Sequence, residues 1–339
     1  MQPPKSILFI VVSRIGDTLF ATPAIRAVAH AFPDAMITVL GHPKRATVFQ
    51  NLPYIHRVAS ISKRSSLLRG HLPGRRYDLA FVYNFDEALV AYALRVARRV
   101  IAFQQKDESL NARLYRCVPP PPFQSKHAVL QLLRLPEAVG ITADNLRLAY
   151  SCTEDERNKA VAQLFSIGAD QATPLIGLQV ASFPTKAYRD WPVEYFAALC
   201  DRITARWPGT HFLIFGGQAE KARTNWLKEY LGTHASLFAG RLTLRETAAL
   251  MSVTDLYIGV DTGPTHLMST YDIPMVALYH CLSSSAHTGP LDHPMAYLLD
   301  HPSTGTADCH ETTTMADISV DDVMNKVEQA LQEHPPRVR

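Results

Sequence analysis

No CxxC pair and no Cys/His cluster with metal-ligand spacing occurs in this 339-residue chain, which argues against a structural zinc site or a dithiol redox centre. The five cysteines, Cys117, Cys152, Cys200, Cys281 and Cys309, are scattered and odd in number, and they read as reduced thiols of a cytoplasmic protein. No run of 18 apolar residues lacks a charge, so no spanning helix is expected. The opening stretch MQPPKSILFIVVSRIGDTLF has an apolar run at 7–12, followed at once by Arg14 and Asp17 with no small-residue cleavage site. It reads as a first buried strand rather than a signal peptide. The GxGxxG fingerprint and the P-loop lysine-serine pair are missing too, which leaves no sequence basis for a nicotinamide cofactor or a P-loop.

What is present is the composition of a globular protein, with 47% hydrophobic and 19% charged residues. The net charge is only +3, but it is unevenly spread. Residues 1–150 carry 20 Lys/Arg against 9 Asp/Glu, and the remainder 14 against 22. Basic residues concentrate at 56–76, which includes Arg64 and Arg69, and at Arg95, Arg98, Arg99, Lys106, Arg113 and Arg116. Such asymmetry suggests an anionic partner for the first half, with solvated helix faces as the plainer alternative. No nucleic-acid recognition motif accompanies the basic half.

Strand and helix patterns alternate along the chain. Strands are expected at 7–12, 35–40, 79–83 and 100–103, and helices at 21–32, 88–97 and 127–139. The proline run VPPPPF (118–123) must be a loop. Thr153 and Glu156 form a capping-box pattern on a connecting helix. The alternation then restarts, with strands at 175–180, 211–215, near Leu237, 256–260 and 275–278. Helices are expected at 193–206, 219–230, 244–252, 265–270 and 320–332. The expected fold is α/β, with two Rossmann-like doubly wound domains, 1–160 and 161–339, facing across a cleft. The terminal helix is expected to pack back on the first domain.

Candidate functional groups fall at the carboxyl ends of the expected strands, where parallel sheets bind ligands. In SRIGD (13–17), Gly16 closes a tight turn and Asp17 follows; it is either a general base or a helix cap. Lys186 and Arg189 lie between a strand and Trp191-Pro192, which suits phosphate or an ordinary mobile loop. Gly216 and Gly217 allow close backbone approach by a ligand. Glu220 follows them as a ribose contact or a partner of the helix dipole. The hexad Asp261-Thr262-Gly263-Pro264-Thr265-His266 opens a helix whose backbone N–H groups suit an anion. Asp261 would repel that anion, so it is read as a holder of sugar hydroxyls. His266 is a donor to phosphate or a satisfied core histidine. Together these groups describe a site for an anion bearing a polyol, such as a sugar diphosphate. No DxD pair is present to hold a divalent metal on it.

The stretches SRIGDTLFATPAIRAV, RDWPVEYFAALC and AGRLTLRETAALMSVTDLYIGVDTGPTHLMSTYDIPMVALY, with the trailing TGP, resemble glycosyltransferase family 9, the ADP-heptose:lipopolysaccharide heptosyltransferases. The resemblance implies the GT-B architecture and inverting transfer of heptose from ADP-heptose without a metal or other cofactor. It implies that Asp17 is the base and that Asp261 contacts the heptose. Thr262, Gly263 and His266 match the positions around the diphosphate. Lys186 resembles the family lysine that neutralises it, and Arg189 shares or takes over that role. The nucleoside falls to Gly216, Gly217 and Glu220. The implied partners are ADP-heptose and a lipopolysaccharide core acceptor at the inner membrane surface, met by Arg64, Arg69, Arg98 and Arg99; no nucleic acid is implied. The implied setting is cytoplasmic, peripheral on the inner face of that membrane. Alternatives are another nucleotide sugar or acceptor, a nucleotide-sugar epimerase or hydrolase, and a silent binding protein.

Overall fold

The computed structural model describes residues 3–71, 74, 76–120 and 126–337. Pro121, Pro122 and Phe123 of the proline run, and Leu72, Pro73 and Arg75 of the basic stretch, lie outside the described residues. The chain divides into two compact units, Met1–Ser151 and Cys152–Arg339. A boundary at 160 would cut the helix Glu154–Ser166, which Thr153 and Glu156 cap reciprocally as their spacing suggests. That helix belongs whole to the second unit, where Glu156 pairs with Arg245.

The first unit is built on β1 (Ser6–Val11), β2 (Met36–Gly41), β3 (Arg57–Ser60), β4 (Tyr77–Val82), β5 (Ala97–Phe103) and β6 (Arg116–Val118), in the order β3-β2-β1-β4-β5-β6. Every pairing is parallel. β1 is central and carries an unbroken apolar run because both of its faces are covered; Ile7, Leu8, Phe9 and Ile10 have no exposed surface. The helix expected over 21–32 is α2 (Thr22–Ala31), and a further short helix, α1 (Ile15–Phe20), precedes it where a loop was expected. Thr18 closes the first turn by donating from its N–H and Oγ1 to the Arg14 carbonyl. Asp17 therefore sits on a helical turn and not in a loop. α3 (Lys63–Leu68) follows β3 and α4 (Glu87–Val96) follows β4. β5 begins directly after α4, at Ala97 rather than at 100, because Ala97 is extended and pairs with Tyr77.

The second unit repeats the plan with β7 (Leu175–Gln179), β8 (His211–Phe215), β9 (Ala235–Leu237), β10 (Leu256–Val260), β11 (Met275–Tyr279) and β12 (Ala296–Asp300), in the order β12-β11-β10-β7-β8-β9. All its pairings are parallel. In each unit the connection reverses direction beside the first strand, at β1/β4 and at β7/β10, which is where doubly wound sheets open a ligand crevice. The terminal helix Val320–Glu333 packs within this unit. Its Val323, Val327 and Ala330 join Phe196 and Leu199 in one core cluster.

Candidate functional site

In the first unit, side chains from neighbouring segments fix the loop at the carboxyl edge of β1. Asn84, just past β4, takes the Val12 N–H on Oδ1 at 2.9 Å and donates Nδ2 to the Val12 carbonyl at 2.9 Å. This amide stands in for a strand neighbour and fixes the loop that follows. Ser13 then donates Oγ to Asp17 Oδ2 at 2.8 Å, and Arg45 donates Nη1 to the Ser13 carbonyl at 3.0 Å. Asp17 is exposed. Burial, with Arg45 and Lys44 beside it, pushes His42 below the ordinary histidine range. The edge is thus a solvent-facing carboxylate in a basic neighbourhood. Ser13, Arg45 and Asn84 were not singled out in the sequence; neither their spacing nor their type distinguishes them.

In the second unit, the loops after β7, β10 and β11 meet around Asp261. Its carboxylate is buried and accepts from Arg189 Nη1 at 2.7 Å, Ser283 Oγ at 2.6 Å and Thr288 Oγ1 at 3.4 Å. His266 Nε2 lies 3.3 Å from Oδ1, the oxygen Thr288 also reaches. Burial opposes the charge, but the His266, Arg189 and Ser283 contacts outweigh it and hold the carboxyl below its usual range. In this conformation Asp261 is therefore engaged by protein donors and not open to a sugar. Thr262 begins the helix Gly263–Met268, and no side chain caps its first turn. Thr265 Oγ1 donates to the Val260 carbonyl instead, and lies 3.0 Å from the Tyr257 hydroxyl.

Arg189 is mostly buried, and its Nε is enclosed without a hydrogen-bond partner. A buried guanidinium with an unused donor is costly. Lys186 lies on the same loop, with Nζ donating to the Tyr188 hydroxyl at 3.2 Å. Tyr188 also lies under the Arg189 guanidinium, 5.6 Å from the ring centroid, and packs edge-on against His280. The loop is braced from below: Ser182 donates its N–H to Asp190 Oδ1 at 2.6 Å, and its Oγ lies 2.7 Å from both Asp190 Oδ1 and the Lys186 carbonyl. The structure therefore brings Arg189, His266 and Asp261 together and leaves Lys186 at the rim. Ser283 and Thr288 escaped the sequence reading because they sit 22 and 27 residues beyond Asp261. Only the Gly289-Pro290 turn signalled a loop there.

Gly216 and Gly217 follow β8. Gly216 has φ +152°, a region side chains disfavour. A Cβ on Gly217 would fall 2.7 Å from Glu220 Oε2, which accepts the Gly217 N–H at 2.5 Å. Burial raises the Glu220 carboxyl, and the Gly217 bond lowers it less. Glu220 thus closes this loop on itself.

The basic residues divide between two ends of the first sheet. Arg64 lies in the first turn of α3 and Arg69 just past its end, after β3, with Arg69 Nη1 donating to the Ser60 carbonyl at 2.9 Å. Arg98 and Arg99 stand at the start of β5, level with Ser6 and Ile7 by register. Arg98 is therefore five residues of strand, roughly 16 Å, from Val11 and the Asp17 edge. Arg98 lies 3.7 Å from Asp78, and Arg99 over Tyr115 at 5.6 Å. The count of charges in the sequence carried no direction along the strand, and these two arginines point to the end opposite Asp17.

The reading of five unpaired thiols also needs correction. Cys281 and Cys309 are disulfide-bonded, with Cα atoms 5.7 Å apart. The turn after β11 and the loop after β12 bring them together across 28 residues of sequence. Next to them, His280 and His301 reach the Thr313 and Thr314 carbonyls at 3.0 and 2.9 Å. Among the described residues, no group of three or more His, Cys, Asp or Glu side chains is placed to hold a metal. Nor is any described helix long and apolar enough to cross a membrane.

A family model described as Glycosyltransferase family 9 (heptosyltransferase) matches residues 66–318. The lipooligosaccharide heptosyltransferase 2 of Campylobacter jejuni is 23% identical over 78% of this chain and 77% of its own length. The lipopolysaccharide heptosyltransferase 2 of Salmonella typhimurium is 24% identical over 85% and 86%. Among solved structures, a glycosyl transferase family 9 protein from Veillonella parvula superposes with a TM-score of 0.83 at 21% identity, covering 97% of this chain and 98% of that one. The E. coli ADP-heptose lps heptosyltransferase II gives 0.80 at 20% identity, covering 97% and 99%. These two likenesses establish the fold, which is the GT-B kind with two Rossmann-like units.

Proposed function

The chain belongs to glycosyltransferase family 9, and from that premise we propose that it moves heptose from ADP-heptose to a hydroxyl of the lipopolysaccharide inner core, with inversion at the anomeric carbon. The observation that carries the donor half is Arg189. It is a mostly buried guanidinium with an unpaired Nε, beside a helix start that no side chain caps. A diphosphate satisfies both.

In this reading the diphosphate takes Arg189, with Lys186 at its rim and the first-turn N–H groups from Thr262 and Gly263. As Arg189 turns to the phosphates, Asp261 is released to the hydroxyls of the sugar, and His266 donates to the leaving oxygen. Glu220, with Gly216 and Gly217, meets the nucleoside. Asp17 accepts the proton of the acceptor hydroxyl, the oxygen bonds to the anomeric carbon, and the bond from that carbon to the diphosphate breaks. ADP leaves with the electron pair, and preorganised cations stabilise its growing charge. General-base help contributes on the order of 10²–10⁴-fold. Arg45 and Arg64 are the basic groups proposed to meet an anionic acceptor. The proposed setting is the inner face of the inner membrane, where a lipid-borne acceptor is found.

Incubating the full chain with ADP-heptose and lipopolysaccharide lacking core heptose, then weighing the acceptor, tests this reading. Gain of the mass of one heptose supports it. Gain only from a different nucleotide sugar would move the donor assignment, and no gain from any acceptor would contradict transfer.

A further inference from the structure

The transfer just described leaves α3 with no use for its two leucines. Leu68 is 85% exposed and Leu67 59%. They are held in place and not merely loose. Ser62 and Ser65 form a reciprocal cap at the start of the helix. At its other end, Arg95 donates Nη2 to the Ser66 carbonyl at 2.6 Å and to the Arg69 carbonyl at 3.2 Å. A short helix fixed at both ends and showing adjacent leucines to solvent marks an interaction site.

The charge around the leucines selects the partner. Between residues 57 and 99 there are nine Lys/Arg and three Asp/Glu. Two of the acids are already committed. Asp86 is buried and lies 2.5 Å from Lys63, and Asp78 accepts from Lys5 and Ser6 with Arg98 nearby. The contacts also show which flank of the unit this face occupies. Arg95 ends α4 immediately before β5, and the Arg76 N–H donates to the Val96 carbonyl. Arg76 and Arg98, both exposed, lie toward the amino ends of the strands, while Arg69, also exposed, reaches back to the Ser60 carbonyl at the end of β3, 2.9 Å away. Asp17 stands at the carboxyl ends.

We infer that this face docks on an anionic phospholipid bilayer, with Leu67 and Leu68 entering the boundary between headgroups and acyl chains and the arginines lying over lipid phosphate. Charge alone would suit any polyanion. The leucine pair suits a surface that has an apolar layer directly beneath an anionic one. The inference draws its purpose from a lipid-borne acceptor, but its test uses neither donor nor acceptor sugar, so the two readings can fail separately.

The test is flotation of the full chain with vesicles of equal parts phosphatidylglycerol and phosphatidylcholine, and with vesicles of phosphatidylcholine alone. The chain is expected to float with the first and not the second. Raising salt from about 0.1 M to about 1 M, which shortens the screening length from about 10 to 3 Å, is expected to release it. The double substitution Leu67→Ser, Leu68→Ser is expected to weaken binding about tenfold or more, with the same melting temperature. Equal binding to neutral vesicles, or binding untouched by the double substitution, overturns the inference. So does a dimer that needs the leucines while vesicles are ignored, or retention of RNA in place of lipid.

Discussion

Arg189 Nη1 lies 2.7 Å from Asp261 Oδ2, inside the second unit, and the carboxylate has no exposed side-chain surface. Removing Arg189 leaves the buried carboxylate with only the His266, Ser283 and Thr288 contacts to offset its charge. Arg189→Ala is expected to destabilise the protein by about 3–5 kcal/mol and to abolish measurable donor binding. Lys186→Ala, at the rim, is expected to cost about 1 kcal/mol or less in stability and to weaken ADP-heptose binding only several-fold. Urea unfolding and calorimetric titration check both. Equal effects from the two variants would contradict the division of roles.

Asp17 is exposed and its removal buries nothing unsatisfied. Asp17→Asn is expected to lower turnover by about 10²–10⁴-fold while the melting temperature and the donor dissociation constant stay where they were. Near-normal turnover would remove Asp17 from the base role.

Glu156 and Arg245 supply a pH test away from the site. Hydrogen bonds from Arg245, acting against burial and helped by the Thr153 cap, hold the Glu156 carboxyl down at about 2. A carboxyl lowered by folding contributes stability above its unfolded value, near 4.5, and loses it as pH falls toward the folded value. The wild type is therefore expected to lose stability between about pH 4.5 and about pH 2, and Glu156→Gln to show a shallower loss over the same window. Parallel curves in urea titrations at several pH values would contradict this.

At Gly217 a methyl group would meet Glu220 Oε2 at 2.7 Å. Gly217→Ala is expected to push the carboxylate aside and weaken ADP binding about tenfold, with acceptor binding unaffected. Unchanged ADP affinity would separate this loop from the nucleoside.

Much of the architecture was legible because it rests on local patterns. The buried strands β1, β7, β10 and β11 are continuous apolar runs that no other element explains. β3 and β12 were missed because they are half-buried edge strands that begin with an exposed arginine or end in an exposed aspartate. Asp261 and His266 could be singled out by the helix start between them. Their partners could not, because Ser283 and Thr288 come from a loop after the next strand. Arg189 was legible as a cation beside a strand end, but its pairing with Asp261 is a tertiary fact. Arg98 and Arg99 entered as charge without position, and only strand register shows which end they occupy.

The central claim is transfer, and the most direct measurement is ADP release from ADP-heptose with and without heptose-deficient lipopolysaccharide. The account predicts release that depends on the acceptor and is lost in Asp17→Asn. Release at the same rate without acceptor, or donor binding with no release across a series of truncated acceptors, would contradict it.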